Sequence, residues 1–174
     1  ASASMADISG NSNAIDSGSS STTDVQGNNN SITCGANDTL TNTGINNTYN
    51  FTSGDILDSS ANSTSETLNG TGYTLNATGL FSGSASGTGD TFDLYANSNS
   101  VLTLTGTNQS VFATGNQVNV DGSGSTVSLW GNNITTDAQS NSNIFLDLNG
   151  TGNVLNSTGN GVSLGATTSA TVSS

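Results

Sequence analysis

The 174-residue chain has no lysine, arginine, histidine or proline, and only one cysteine. Each absence removes a class of structure or function. With twelve acids and no basic side chain, the formal charge is −12. No side-chain salt bridge can form, and nucleic acid and anionic lipid surfaces are poor partners. The missing basic residues also take away the usual general bases, phosphate clamps and oxyanion-stabilising cations, so an enzyme is not expected. Cys34 has no intramolecular partner and reads as a small buried filler beside Ile32. No segment approaches the roughly 18 consecutive apolar residues of a membrane helix, and membrane insertion is not expected. Apolar residues make up 30% of the chain and aromatics 5%, a composition that defaults to disorder unless the apolar residues recur with a period.

They do recur. Three segments align, "SETLNGTGYTLNATG" (65–79), "VLTLTGTNQSVFATG" (101–115) and "IFLDLNGTGNVLNSTG" (144–159). In each, two glycines stand nine residues apart: Gly70 and Gly79, Gly106 and Gly115, Gly150 and Gly159. Gly122 and Gly131 repeat that spacing. Counting back four and two positions from these glycines finds apolar or small residues. The resulting core ladder comprises Leu68, Leu75, Leu102, Leu104, Val111, Val118, Val120, Val127, Leu129, Leu146, Leu148 and Leu155. Polar and β-branched residues alternate with them. A period of two is the strand signature, because successive side chains point to opposite faces, and no helical period is sustained.

Short strands divided by glycine corners fit two architectures. One is an all-β β-solenoid built from nine-residue strand-corner units; the other is a β-sandwich of pilin type. The reuse of one phrase favours the solenoid, since a sandwich needs different strands for its centre and its edges. Two units per coil would give a flattened, two-sided solenoid, and three a triangular one. Residues 23–174 form the repeat domain. Residues 1–22 fit the pattern poorly and read as a cap, an arm or an intersubunit strand. "SGSASGTGD" (82–90) and "TTDAQSNS" (135–142) are expected to bulge as loops.

Candidate chemistry is sparse. Asp55/Asp58, Asp90/Asp93 and Glu66 are the carboxylates that a glycosidase would draw on, but each is expected in a loop-like or outward position. The corners "GTGY", "GTNQ", "GSGS" and "GTGN" lack the Asp of calcium-binding β-rolls. No cofactor is therefore expected, with surface calcium near Asp121 or Asp90/Asp93 left open. "TLT" at 39–41 and 103–105 would turn leucine inward and both threonines outward, a motif relevant to ice binding. Eleven Asn-x-Ser/Thr sequons are little above what the composition produces by chance. Tyr95, Phe112 and Trp130 have outward parity and are candidate lateral contacts.

The phrase Asn/Gly/Ser/Thr-x-Φ-x-Φ-x-Gly, running from about residue 23 onward, resembles the low-complexity β-solenoid repeats of bacterial adhesins and extracellular fibres. More loosely, it is similar to curli-type functional amyloids. These have regular Gln and Asn ladders, whereas here Gln is confined to Gln26, Gln109, Gln117 and Gln139. The resemblance implies a secreted, extracellular or cell-surface structural subunit that partners itself as a homopolymer, with polysaccharide or other matrix components as further partners. The opening "ASASMADIS" reads as a mature chain after removal of a signal peptide. A monomeric binding module, either an adhesin stalk or an ice binder, is the alternative.

Overall fold

The computed structural model describes residues 4–60, 62–95, 97–121, 124–138, 145–157, 160–164 and 170–173. Among them are twenty strands and no helix. Sheet A consists of Met5–Ile8, Thr22–Val25, Thr39–Asn42, Ile56–Ser59, Thr74–Ala77, Thr91–Leu94, Gln109–Phe112, Thr126–Trp130, Phe145–Asn149 and Gly161–Leu164. Sheet B consists of Ala14–Asp16, Ser31–Thr33, Thr48–Asn50, Ser63–Thr71, Phe81–Thr88, Val101–Thr107, Gln117–Val120, Thr135–Ala138, Asn153–Asn156 and Ala170–Ser173. The chain visits the two sheets alternately, and every neighbouring pair is parallel. The fold is a two-sided β-solenoid. Parallel pairing throughout excludes the sandwich, whose sheets are antiparallel.

Met5, Thr22, Thr39 and Ile56 face one another in register, 17 residues apart. Later steps stretch to 19, as between Thr91 and Ser110. Extra residues are accommodated at corners and in the longer sheet B strands, so the register of inward and outward side chains survives. Residues 82–90, expected to bulge, instead lie mostly in Phe81–Thr88, which is paired on both sides by Ser63–Thr71 and Val101–Thr107. Small residues at Gly83, Ala85 and Gly87 disguise the alternation there, although Ala85 takes the inward place between Leu68 and Leu104. Residues 135–138 of the second expected loop are also a strand; residues 139–142 lie outside the described residues. Residues 1–22 contribute Met5–Ile8 and Ala14–Asp16, which pair within the chain with Thr22–Val25 and Ser31–Thr33.

The core is a narrow slab in which inward residues of A meet those of B. Leu68, Leu75, Leu102, Leu104, Val111, Val118, Val120, Val127, Leu129 and Leu155 are all buried. Leu146 and Leu148 are on the strand Phe145–Asn149, but their side chains lie outside the described residues. Each buried aliphatic side chain contributes about 1.5–3 kcal/mol through removal of its surface from water. Midway along the slab the ladder switches to aromatics. Tyr49 and Phe51 rings stand 5.7 Å apart, Phe51 stacks on Tyr73 at 4.6 Å, and Tyr73 meets Phe92 edge-on at 5.7 Å.

The strand-end glycines serve close coil-to-coil approach. Gly70, Gly87 and Gly106 are stacked in register. Gly106 has φ of 143°, and a Cβ there would overlap the carbonyl oxygen of Gly87. Gly89 differs: its φ is 73° but nothing surrounds a Cβ. Ala at position 89 therefore meets only the left-handed backbone penalty of about 1–2 kcal/mol. At position 106 a collision of about 1–3 kcal/mol is added. Urea unfolding should show Gly106→Ala to be clearly the more destabilising of the two; equal midpoints would mean that the coils are not in this contact.

Candidate functional site

The most regular polar chemistry lies at the corners. A left-handed residue is followed by an inward one and then by the residue that opens the next strand. Asn29-Asn30-Ser31, Asn37-Asp38-Thr39, Asn46-Asn47-Thr48 and Gly89-Asp90-Thr91 all have this form, the first residue of each at positive φ and the second buried. Asn and Gly fill the first place because they tolerate that backbone conformation, and Ser takes it at Ser12, Ser20 and Ser65. Five of the eleven sequon asparagines, Asn29, Asn37, Asn46, Asn108 and Asn133, occupy it. At those five positions the Asn-x-Ser/Thr triplet is the imprint of a corner.

The buried second residue bonds along the axis. Its backbone N–H points toward the following coil, where the equivalent side chain accepts. The Asn30 N–H donates to Asn47 Oδ1 at 2.8 Å, and the Asn47 N–H donates to Glu66 Oε2 at 2.9 Å. At the opposite edge, the Ser21 N–H donates to Asp38 Oδ1 at 2.7 Å and the Asp38 N–H to Asp55 Oδ1 at 2.8 Å. The same bond recurs from Tyr73 to Asp90, from Ser100 to Asn116 and from Ile134 to Asn153. An unsatisfied buried N–H would cost about 1–3 kcal/mol.

Three carboxylates expected in loop-like or outward positions are therefore buried: Asp55, Glu66 and Asp90 are each at most 1% exposed. Asp55 and Asp90 sit at corners one place before the strands Ile56–Ser59 and Thr91–Leu94, outside the strand alternation; Glu66 lies within Ser63–Thr71, four places before Gly70, at an inward position filled by a carboxylate instead of an apolar residue. Burial raises all three pKa values above the ordinary carboxylate range, that of Glu66 to about 7. Glu66 Oε1 has no hydrogen-bond partner. Asp90 accepts from the Gln109 amide at 3.1 Å and Asp55 from the Thr52 N–H at 2.6 Å. Cys34 is buried, and that burial, reinforced by nearby Asp55 and Asp38, pushes its thiol up to about 12, which leaves it unreactive.

The outer faces carry different chemistry. On sheet A one register column reads Asp7, Asp24, Thr41, Asp58, Asn76, Asp93 and then Phe112 and Trp130. The Asn76 amide donates to Asp58 at 2.8 Å. On sheet B the outward pairs are Ser31/Thr33, Thr48/Asn50, Thr67/Asn69, Ser84/Ser86 and Thr103/Thr105, free of charge over five successive strands. The threonines of both "TLT" stretches are outward or half-buried, with Leu40 and Leu104 inside.

No protein-family model, curated protein or solved structure matches the chain.

The remaining singled-out residues are distributed as follows. Gly70, Gly106, Gly131 and Gly150 sit at or just beyond strand ends with φ from 127° to 155°, and Gly115 is a left-handed turn at 69°. Gly79 follows Thr74–Ala77 in a bend without positive φ. Gly122 and Gly159 lie outside the described residues. Asp58 and Asp93 point outward, away from the buried Asp55 and Asp90, so neither proposed carboxylate pair converges. Among the described residues no three His, Cys, Asp or Glu side chains gather. Tyr95, Phe112 and Trp130 are exposed.

Glu66 yields a pH test. Its folded pKa is raised to about 7, above the unfolded value of about 4.3. Its contribution is fully present below the unfolded value and is lost as pH rises through the folded one. Glu66→Gln should therefore raise the melting temperature at pH 8 and leave it nearly unchanged at pH 4. Equal shifts at both pH values, in melts at constant ionic strength, would show that the carboxyl is not held neutral.

Proposed function

We propose that the chain is a structural subunit of a secreted extracellular filament or matrix, self-assembling by β-strand stacking or strand donation. The observation that carries this reading is the axial corner bond. One type of contact, from a backbone N–H to a side-chain oxygen of the next coil, repeats through Asn13, Asn30, Asn47 and Glu66. It depends only on which corner residue comes next, so a coil from a second copy can supply it as well as a coil of the same chain. Stacking parallel strands across copies extends both sheets and buries their hydrogen-bonding edges. The buried carboxylates are engaged in corner bonds, which supports a structural rather than a catalytic role.

Repulsion between chains of charge −12 opposes that stacking and is relieved by salt or acid. Electron microscopy should show filaments of uniform width, forming faster at pH 4 or in high salt than at pH 8 in low salt. Fibre diffraction should place the strand repeat of about 4.7–4.9 Å along the filament axis. A protein that stays monomeric from pH 4 to 8 at millimolar concentration would sink the proposal.

One observation favours a second reading, a monomeric module that binds ice. The charge-free outer face of sheet B sets hydroxyl and amide groups in rows from Ser31 to Thr105, about 4.8 Å apart between strands. Thermal hysteresis by the monomer, abolished by Thr48→Lys and Thr67→Lys on that face, would favour it over the filament.

A further inference from the structure

The outward column of sheet A breaks its own rule at Phe112 and Trp130. Up to Asp93 it holds only Asp, Thr and Asn; the next two strands place aromatic rings there. Both rings are 45% exposed, 6.3 Å apart and inclined by 24°, so they form one apolar strip across two strands. Tyr95, 63% exposed, lies one strand earlier and one column across, just after Thr91–Leu94. Between Tyr95 and the acidic column an open groove of about 120 Å³ is lined by Asn76, Ala77, Thr78, Asp93 and Tyr95. The five aromatics Tyr49, Phe51, Tyr73, Phe81 and Phe92 are buried. Core packing therefore does not account for these three.

A flat apolar strip flanked by carboxylate, amide and hydroxyl groups is complementary to a pyranose ring, which has an apolar C–H face and a polar rim of hydroxyls. The C–H face would stack on the aromatics, and the rim hydroxyls would donate to Asp93 and exchange hydrogen bonds with Asn76 and Thr78, which line the groove. Charge narrows the class. No side-chain cation exists in the chain, and Asp93 and Asp58 share the face, so uronates, sulfates and phosphates are repelled. A second copy fits less well. Three half-covered aromatics, each burying about 150–250 Å² in full, can offer on the order of 300 Å², against about 800 Å² per partner in a stable interface. A two-fold contact would also bring the two acidic columns together.

We propose that the Phe112–Trp130 strip and the Tyr95–Asp93 groove bind a neutral polysaccharide chain lying along the solenoid axis. This holds for a monomer and for a filament alike.

Trp130 is the only tryptophan, so its emission reports on the strip. Cellohexaose, xylohexaose and mannohexaose are the probes, with a galacturonate oligomer as the anionic control. At least one neutral hexamer should shift the emission to the blue and saturate at millimolar concentration or below, while the anionic oligomer gives no shift. Phe112→Thr should weaken that binding by about tenfold or more without lowering the melting temperature. Trp130→Thr, which removes the reporter, should migrate freely through a native gel containing hydroxyethylcellulose, xylan or mannan, matched to the bound hexamer, where the unsubstituted protein is retarded. The proposal is overturned if no neutral hexamer shifts the emission, or if the anionic oligomer binds equally well. A blue shift produced by raising the protein concentration alone also overturns it, because a second copy then covers the strip.

Discussion

When coils of parallel strands are stacked, each corner leaves a backbone N–H pointing along the axis, and in this chain no lysine, arginine or histidine is present to organise the acceptors. The rest of the structure depends on how that N–H is satisfied. An oxygen from the corner of the next coil meets it, supplied by Asn47, Glu66, Asp38, Asp55, Asp90, Asn116 or Asn153. Asn30, Asn47 and Asp38 each accept from the coil before and donate, through their own N–H, to the coil after. The bond is thus cooperative along the axis and fixes the vertical register of strands that hydrophobic contact alone would allow to slide.

The same shortage of cations explains where the amides go. Asn76 donates to Asp58, Gln26 to Asp24, Gln109 to Asp90, and both Gln117 and Asn156 to Asp137. Primary amides take the place that lysine and arginine fill elsewhere. They supply a donor without a compensating charge, so the repulsion between carboxylates is reduced by hydrogen bonding but not cancelled. Asp90, the buried member of the set, has its pKa raised by burial, with the Gln109 amide working against that shift.

Much of the slab was legible in the sequence. The alternation around Leu75, Leu102, Leu104, Val118, Val120 and Leu129 is strict enough to fix strand and face, and the reuse of one phrase favoured stacked coils over a sandwich, a choice that the parallel pairing then decided. The Phe81–Thr88 strand was hidden because its inward place is filled by Ala85 and its neighbours are glycine and serine, residues that spell a loop by composition. Pairing on both sides overrides that local preference. The corner acceptors were hidden for another reason. A polar residue looks solvent-exposed to any rule that equates burial with hydrophobicity, yet Asp55, one place before a strand, and Glu66, within Ser63–Thr71, are buried where each accepts from a backbone N–H of the preceding coil. For Asp38 and Asn47 the signal was nonetheless present as Asn-x-Ser/Thr, where the asparagine, the inward residue and the first outward hydroxyl follow in that order; Asp55, Glu66 and Asp90 stand in no such triplet.

Separation of the two faces follows from the same geometry. Because side chains alternate strictly, a change in an outward column leaves the slab and the corner bonds untouched. Asp93, Phe112 and Trp130 stand in one column although they differ in charge, size and polarity, while the inward column beside them, Phe92, Val111 and Leu129, stays apolar and buried. The outer face of sheet A can therefore turn from acidic to aromatic within a single coil, while an outward place of sheet B passes from Thr103 to Asn119 and then Asp137. What the solenoid conserves is its axial bonding, and what it leaves free is two flat surfaces whose chemistry can be set strand by strand.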